Sequence, residues 1–294
     1  MDAQYMMLRA ALAMVKLFQH PGMPVDVLRV AQEGLSHLIP HTLPYQRDHL
    51  TLAGVPVERI TARPEGHGYG ILYLHGGAYA LGPNAAYSRF ASHLAHIMDA
   101  EVLMPDYRLA PENPFPAAIE DCIRVAEVVL RTKKNVILMG DSAGGGLVLA
   151  TLLALRDRGV PLPRAAVTFS AFTDLAVTGE SIKTLAAQDP VIEVDMVSVM
   201  ANHYLADADP QNPLASPLYG AYHGLPPLMM QVGSDEVLLD DTLRVAEKAR
   251  AAGGRVRLEV VPSMFHVFQL AVGFLPQADQ ALISVRDFIH EVAP

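Results

Sequence analysis

Val136-Ile137-Leu138-Met139-Gly140-Asp141-Ser142-Ala143-Gly144-Gly145-Gly146-Leu147-Val148-Leu149-Ala150 is the stretch from which the rest of the chain can be read. Its first four residues are apolar without alternation, the pattern of a strand buried on both faces. From Gly144 to Gly159 the apolar residues continue at a length and spacing that predict a helix. Between strand and helix stands Gly-x-Ser-x-Gly, the pattern of a tight turn that pushes a serine hydroxyl out above a sheet. Such a turn brings neighbouring backbone close, so a Cβ at the flanking Gly140 and Gly144 would collide. The helix N-terminus beside Ser142 offers N–H groups and partial positive charge to an anion forming there. Ser142 is therefore a candidate nucleophile.

Working outward, short apolar runs at residues 69–75, 101–108, 135–140, 164–172, 227–233 and 256–263 read as strands, preceded by a strand pair at 49–54 and 55–62. Helical patterns occupy residues 115–132, 144–159, about 239–253 and 276–292. The alternation predicts an α/β fold with a mostly parallel central sheet covered by helices and an antiparallel start, in one domain spanning 1–294. Two amphipathic helices lie before the first strand. The first carries Leu8, Leu12 and Val15 at helical spacing; the second carries Leu28, Ala31, Leu35 and Leu38, with Pro40 just beyond. Residues 178–217 break the pattern, with a short helical segment at 191–205, and are expected to form a helical cap together with residues 1–45.

Composition limits the partners. The 294 residues carry 22 Lys and Arg against 31 Asp and Glu, a formal charge of −9, with the basic residues scattered. No basic stripe could neutralise a phosphate backbone, so nucleic acid is not expected, and neutral substrates suit the negative field better than anions. No stretch approaches the roughly 18 apolar residues of a membrane span. The segment at residues 1–20 has Asp2 where a leader peptide carries basic residues, and Arg9 and Lys16 interrupt its apolar run. The single cysteine, Cys122, excludes an intramolecular disulfide, lies on an apolar helix face and reads as core. A cytoplasmic protein fits these features, and a homodimer is compatible with them. There is no HExxH, no paired CxxC and no dinucleotide glycine fingerprint, so neither metal nor cofactor is expected.

A second signal is His75-Gly76-Gly77-Ala78-Tyr79, directly after a strand. A glycine-rich loop there can aim N–H groups at a carbonyl attacked by Ser142, with the Ala143 N–H as a further donor; Gly76, Gly77, Ala78 and Ala143 are the candidates for this oxyanion hole. Among the histidines, His266 follows the last strand and precedes the last helix, and so should stand at the same sheet edge as Ser142. His75 reads as a loop organiser, and His37 and His290 as surface or packing residues. Asp235 directly follows the strand at 227–233 and gives the order Ser, Asp, His. It is the expected acid, with Glu236, Asp240 and Asp241 assigned to the start of the next helix, where the macrodipole favours negative charge. Arg108 and Glu112 read as braces of a proline-bearing turn.

The chain resembles the bacterial hormone-sensitive-lipase-like esterases of the α/β-hydrolase superfamily. The family's HGGG appears as His75-Gly76-Gly77-Ala78; DYRLAPE stands at 106–112 and GDSAGG at 140–145; SPLYG, GLPPLMMQVGSDEVLLDD and MFHVF match the C-terminal segments. The resemblance implies a serine carboxylic ester hydrolase acting on small neutral esters of short to medium acyl chain through Ser142, His266 and Asp235. Ala78 replaces the third glycine: its N–H persists, a glycine-only backbone conformation is forbidden there, and a methyl group is added near the acyl site. Two other functions stay open. Plant gibberellin receptors resemble the same family but bind without catalysis, having lost the histidine that His266 matches here. Lactone hydrolases of the family would need the same triad.

Overall fold

The computed structural model describes residues 3–17, 19–36, 43–64 and 68–294. Helices α1 (Ala3–Lys16) and α2 (Val25–Ser36) precede strands β1 (Gln46–Leu52) and β2 (Val55–Thr61). Then β3 (Tyr69–Leu74), α3 (Ala85–Met98), β4 (Ala100–Pro105), α4 (Ala117–Thr132), β5 (Val136–Asp141), α5 (Ser142–Asp157) and β6 (Ala165–Phe169) alternate. After α6 (Ser181–Thr184) and α7 (Val194–Leu205), the alternation resumes with β7 (Leu228–Gly233), α8 (Leu239–Ala251), β8 (Val256–Val261) and α9 (Pro276–Val292).

The strands form one sheet in the order β1-β2-β4-β3-β5-β6-β7-β8. The β1–β2 and β2–β4 pairs are antiparallel and the others parallel. This is the expected α/β-hydrolase architecture. Period-two alternation of side chains divides each inner strand between two cores. Leu72, Leu74 and Leu138 face the core built with α4, α5 and α8, while Ile71, Tyr73, Ile137 and Met139 face the core built with α3 and α9. Both faces are apolar because both are covered, which is why these strands show no alternation in sequence. Cys122 is fully buried in the first core.

Strand order reverses around β3: the chain leaves β3 for β4 on one side and returns to β5 on the other. The carboxyl ends of β3 and β5 thus flank a crevice at a switch point, where ligands of open α/β sheets bind.

Helix α1 lies along residues 186–191. Lys16 Nζ donates to the carbonyls of Ala186 and Asp189, and Gln19 to that of Val191. Its Leu8 and Leu12 pack against the second core, as their spacing predicts, and Tyr5 is buried. In α2 Leu28 points inward as expected, beside Val25, whereas Ala31 is exposed. His37, Leu38 and Pro40 lie outside the described residues. Val25 and Leu28 meet Met196 and Met200 of α7, together with Ala78, Ala80 and Leu81 after β3. Tyr204 of α7 stacks on Tyr79 with centroids 3.9 Å apart. Both helical segments therefore converge on the loop that follows β3. Among the described residues no helix is long and apolar enough to cross a membrane.

Candidate active site

Four loops at the carboxyl edge of the sheet supply the site. After β5 the chain turns directly into α5, and Ser142 at the turn has φ 52°, a left-handed conformation uncommon for a residue with a side chain. The turn is possible because its flanks are glycines. A Cβ on Gly144 would lie 2.0 Å from the Leu74 carbonyl oxygen, and one on Gly140 would lie 2.6 Å from the same oxygen.

Ser142 Oγ stands 3.0 Å from His266 Nε2, and His266 Nδ1 stands 2.7 Å from Glu236 Oε2. A carboxylate only accepts, so the Nδ1 proton donates to Glu236 and leaves Nε2 free to accept from the serine hydroxyl. Glu236 is fully buried, and its other oxygen accepts from the Gly233 N–H at 2.5 Å and the Ser170 hydroxyl at 2.8 Å. The Ser170 hydroxyl oxygen also accepts from the Val267 N–H at 3.0 Å, so one side chain ties the acid loop to the histidine loop.

Asp235, expected as the acid, does not face His266. Its Oδ2 accepts from Arg9 of α1 at 3.2 Å and its Oδ1 from the Ser234 hydroxyl at 2.9 Å, and its side chain is 27 % exposed. Consecutive residues in the turn after β7 point in different directions, Asp235 toward Arg9 and Glu236 toward His266. Glu236 is also not part of the next helix, which begins at Leu239 with Asp240 and Asp241 in its first turn. The macrodipole argument holds for those two and not for Glu236. The sequence signal was the acidic pair itself, since the order serine, acid, histidine admits either member.

Burial alone would depress the basicity of His266. The hydrogen bond and charge of Glu236 oppose this, with the charges of Asp189 and Asp141 adding to them, and the net effect raises it above the ordinary histidine value of 6.5. A base acts in its neutral form, and a raised pKa keeps it protonated to higher pH. The acid limb of kcat/KM for ester hydrolysis is therefore expected to turn above pH 6.5, and a pH profile turning below that value would contradict the electrostatic balance.

After β3, His75 is buried with Nδ1 2.8 Å from the Gly76 carbonyl, stacked on Tyr107 at 4.2 Å, and burial lowers its pKa to about 4. A neutral, packed imidazole fits an organising part in the loop. Gly76 cannot be an oxyanion donor as expected, because its N–H already donates to Asp141 Oδ1 at 2.9 Å. Gly77, Ala78 and Ala143 differ: among the described residues no acceptor faces their N–H groups, and Ala143 lies in the first turn of α5, where N–H groups have no partner within the helix. Gly77, Ala78 and Tyr79 have φ of 101°, 52° and 61° in succession. Ala78 thus adopts the left-handed conformation that a Cβ tolerates at about 1–2 kcal/mol. Its methyl group packs against the cluster of Val25, Ala80, Met196 and Met200.

Arg108 braces the start of α4, its guanidinium donating to both oxygens of Asp121 at 2.9 Å. Glu112 does something else: it pairs with Arg29 of α2, which also donates to the carbonyls of Ala80 and Ala110. Met6, Met7 and Met14 are exposed, whereas Met196 and Met200 are buried.

The family described as alpha/beta hydrolase fold matches residues 71–270, more than half of the chain, so the chain belongs to that family. It is 45% identical over 223 residues to an acetyl-hydrolase of Streptomyces hygroscopicus, covering 75% of each chain. It is 34% identical over 267 residues to an esterase of Acinetobacter venetianus, covering 90% of this chain and 88% of the other. The crystal structure of an esterase from the bacterial hormone-sensitive lipase family superposes over 100% of both chains with a TM-score of 0.94 at 38% identity. Within the fold the chain groups with those bacterial hormone-sensitive-lipase-family esterases, and it is a carboxylesterase.

Proposed function

We propose that Ser142, His266 and Glu236 form the catalytic triad of this esterase, that the N–H groups of Gly77, Ala78 and Ala143 hold the oxyanion, and that the substrates are small neutral esters of short to medium acyl chain. The observation that carries the reading is the continuous line of hydrogen bonds from Ser142 Oγ through both nitrogens of His266 to Glu236. His266 Nε2 takes the Ser142 proton as Oγ attacks the ester carbonyl, and the carbonyl π pair moves onto oxygen. The three N–H groups stabilise that charge, while Glu236 holds the imidazole in its working tautomer and balances the imidazolium. Collapse breaks the carbon–oxygen bond to the alcohol, which leaves with the proton from Nε2. Water, deprotonated by the same nitrogen, then attacks the acyl-serine and returns the free acid and Ser142.

The described helices within residues 1–45 and about 178–217 serve in this reading as a cap over the acyl site. Support comes from the meeting of Val25 and Leu28 with Met196, Met200 and Ala78. The name of the acetyl-hydrolase relative agrees with a short acyl group. The test is a p-nitrophenyl ester series from acetate to dodecanoate, run beside a small lactone. Faster turnover of butanoate than dodecanoate is expected, and the reverse would remove the chain-length reading. A lactone hydrolysed much faster than any open-chain ester would reassign the substrate class. Met196→Ala combined with Met200→Ala should move the optimum to longer chains, each methylene entering the vacated space contributing about 0.8 kcal/mol. An unchanged optimum would separate these methionines from the acyl site.

A further inference from the structure

We infer that Asp141 is a positioning residue that locks the loop carrying Gly77 and Ala78 to the turn carrying Ser142 and Ala143. The inference rests on the reading of those N–H groups as the oxyanion hole. Asp141 occupies the N-cap position of α5, where an aspartate ordinarily turns its carboxylate onto the second or third N–H of its own helix. Here it makes no such bond. Its side chain points the other way and is saturated by three donors from elsewhere: Tyr73 of β3 at 2.7 Å and Gly76 N–H at 2.9 Å on Oδ1, and Tyr87 of α3 at 2.9 Å on Oδ2.

Two consequences follow from one orientation. The N-terminal N–H groups of α5, Ala143 among them, are left without a capping side chain and stay available to an anion. At the same time the residue next to the nucleophile grips the backbone one position before Gly77, so the two halves of the oxyanion hole hang on one buried carboxylate. The fit is close: a Cβ on Gly76 would lie 2.3 Å from Asp141 Oδ2. Tyr73 and Tyr87 are buried, and Tyr87 also packs against His75, so the anchor has no slack toward water.

The experiment compares wild type, Asp141→Ala, Asp141→Asn and Tyr87→Phe by kcat, KM and the affinity of an alkyl trifluoromethyl ketone. In wild type, Ser142 Oγ adds to the ketone carbonyl, the carbonyl pair becomes the hemiketal oxyanion, and the serine proton passes to His266. Asp141→Ala should weaken ketone binding and lower kcat together by about 10- to 100-fold, somewhat less than outright loss of one oxyanion donor, with KM nearly unchanged. Asp141→Asn, whose amide oxygen can still accept from Gly76 and Tyr73, should recover most of both. Tyr87→Phe, which keeps the ring packing and removes one donor, should show a smaller loss of the same kind and carries the test if Asp141→Ala does not fold. A folded Asp141→Ala, or Tyr87→Phe in its place, that binds the ketone as wild type does overturns the proposal. So does a variant whose KM rises while kcat is kept. A wild-type protein that the ketone does not inhibit removes the oxyanion reading itself, and this proposal with it.

Discussion

Ser142→Ala is expected to lower p-nitrophenyl butyrate hydrolysis by about a million-fold, to the assay background, while leaving the fold intact. The size follows from the proposed chemistry. The triad acts as one unit, so removing its nucleophile forfeits whatever His266 and Glu236 contribute through it, and only binding and the oxyanion donors remain. The fold should survive because Ser142 is only partly buried, its side-chain hydroxyl bonds only to His266 among the described residues, and alanine can occupy the left-handed turn as serine does. The measurement needs kcat/KM at matched concentration near neutral pH, with thermal melting as the control for folding. Loss of activity with an unchanged melting point would establish the nucleophile. Retained activity in the variant would remove Ser142 from the mechanism, and an inactive, folded wild type would favour a non-catalytic binding function.

Glu236→Gln should reduce kcat by about 10³- to 10⁴-fold, whereas Asp235→Asn should change it by less than about tenfold. The asymmetry lies in the donors around the two acids. One Glu236 oxygen receives the Gly233 N–H and the Ser170 hydroxyl, so a glutamine would place its oxygen there and turn its NH₂ toward His266. Nδ1 would then have to accept, its proton would move to Nε2, and the nitrogen facing Ser142 could no longer take the serine proton. Loss of the Glu236 charge also lowers the basicity of His266, shifting the acid limb of the variant's residual activity downward. Asp235 forms a partly exposed pair with Arg9, the kind worth at most about 1 kcal/mol, and touches none of the reacting groups. If the effects came out reversed, the acid would be Asp235 and the hydrogen-bond line through Glu236 would have no part in catalysis.

Much of this protein is legible in its residues, and the exceptions share a cause. Runs such as Val136–Met139 and Ile71–Leu74 declare buried strands by lacking alternation, and the glycines around Ser142 declare a turn where backbones touch. Helix α3 was not anticipated, although Tyr87, Phe90, Ala91, Leu94 and Met98 recur at helical spacing after an Asn84 cap. Polar Ser88, Arg89 and Ser92 interleave that face and are themselves buried, which blurs the apolar stripe. In α2 Leu28 packs inward as its spacing predicts, but Ala31 is exposed and Arg29 takes part of the inner side through its bonds to Ala80, Ala110 and Glu112. Periodicity cannot report a charge whose partner lies far along the chain.

By itself, then, the sequence determined the order of the strands and of the helices other than α3, the serine turn, the glycine loop and the histidine after the last strand, because short-range geometry and burial leave marks on neighbouring residues. Only the tertiary structure decided which of two adjacent acids meets His266, which N–H groups of the glycine loop remain free, and where Asp141 turns its carboxylate. Those choices depend on donors from β3, α1, α3 and the Ser170 loop, brought together by the sheet from positions far apart in the chain.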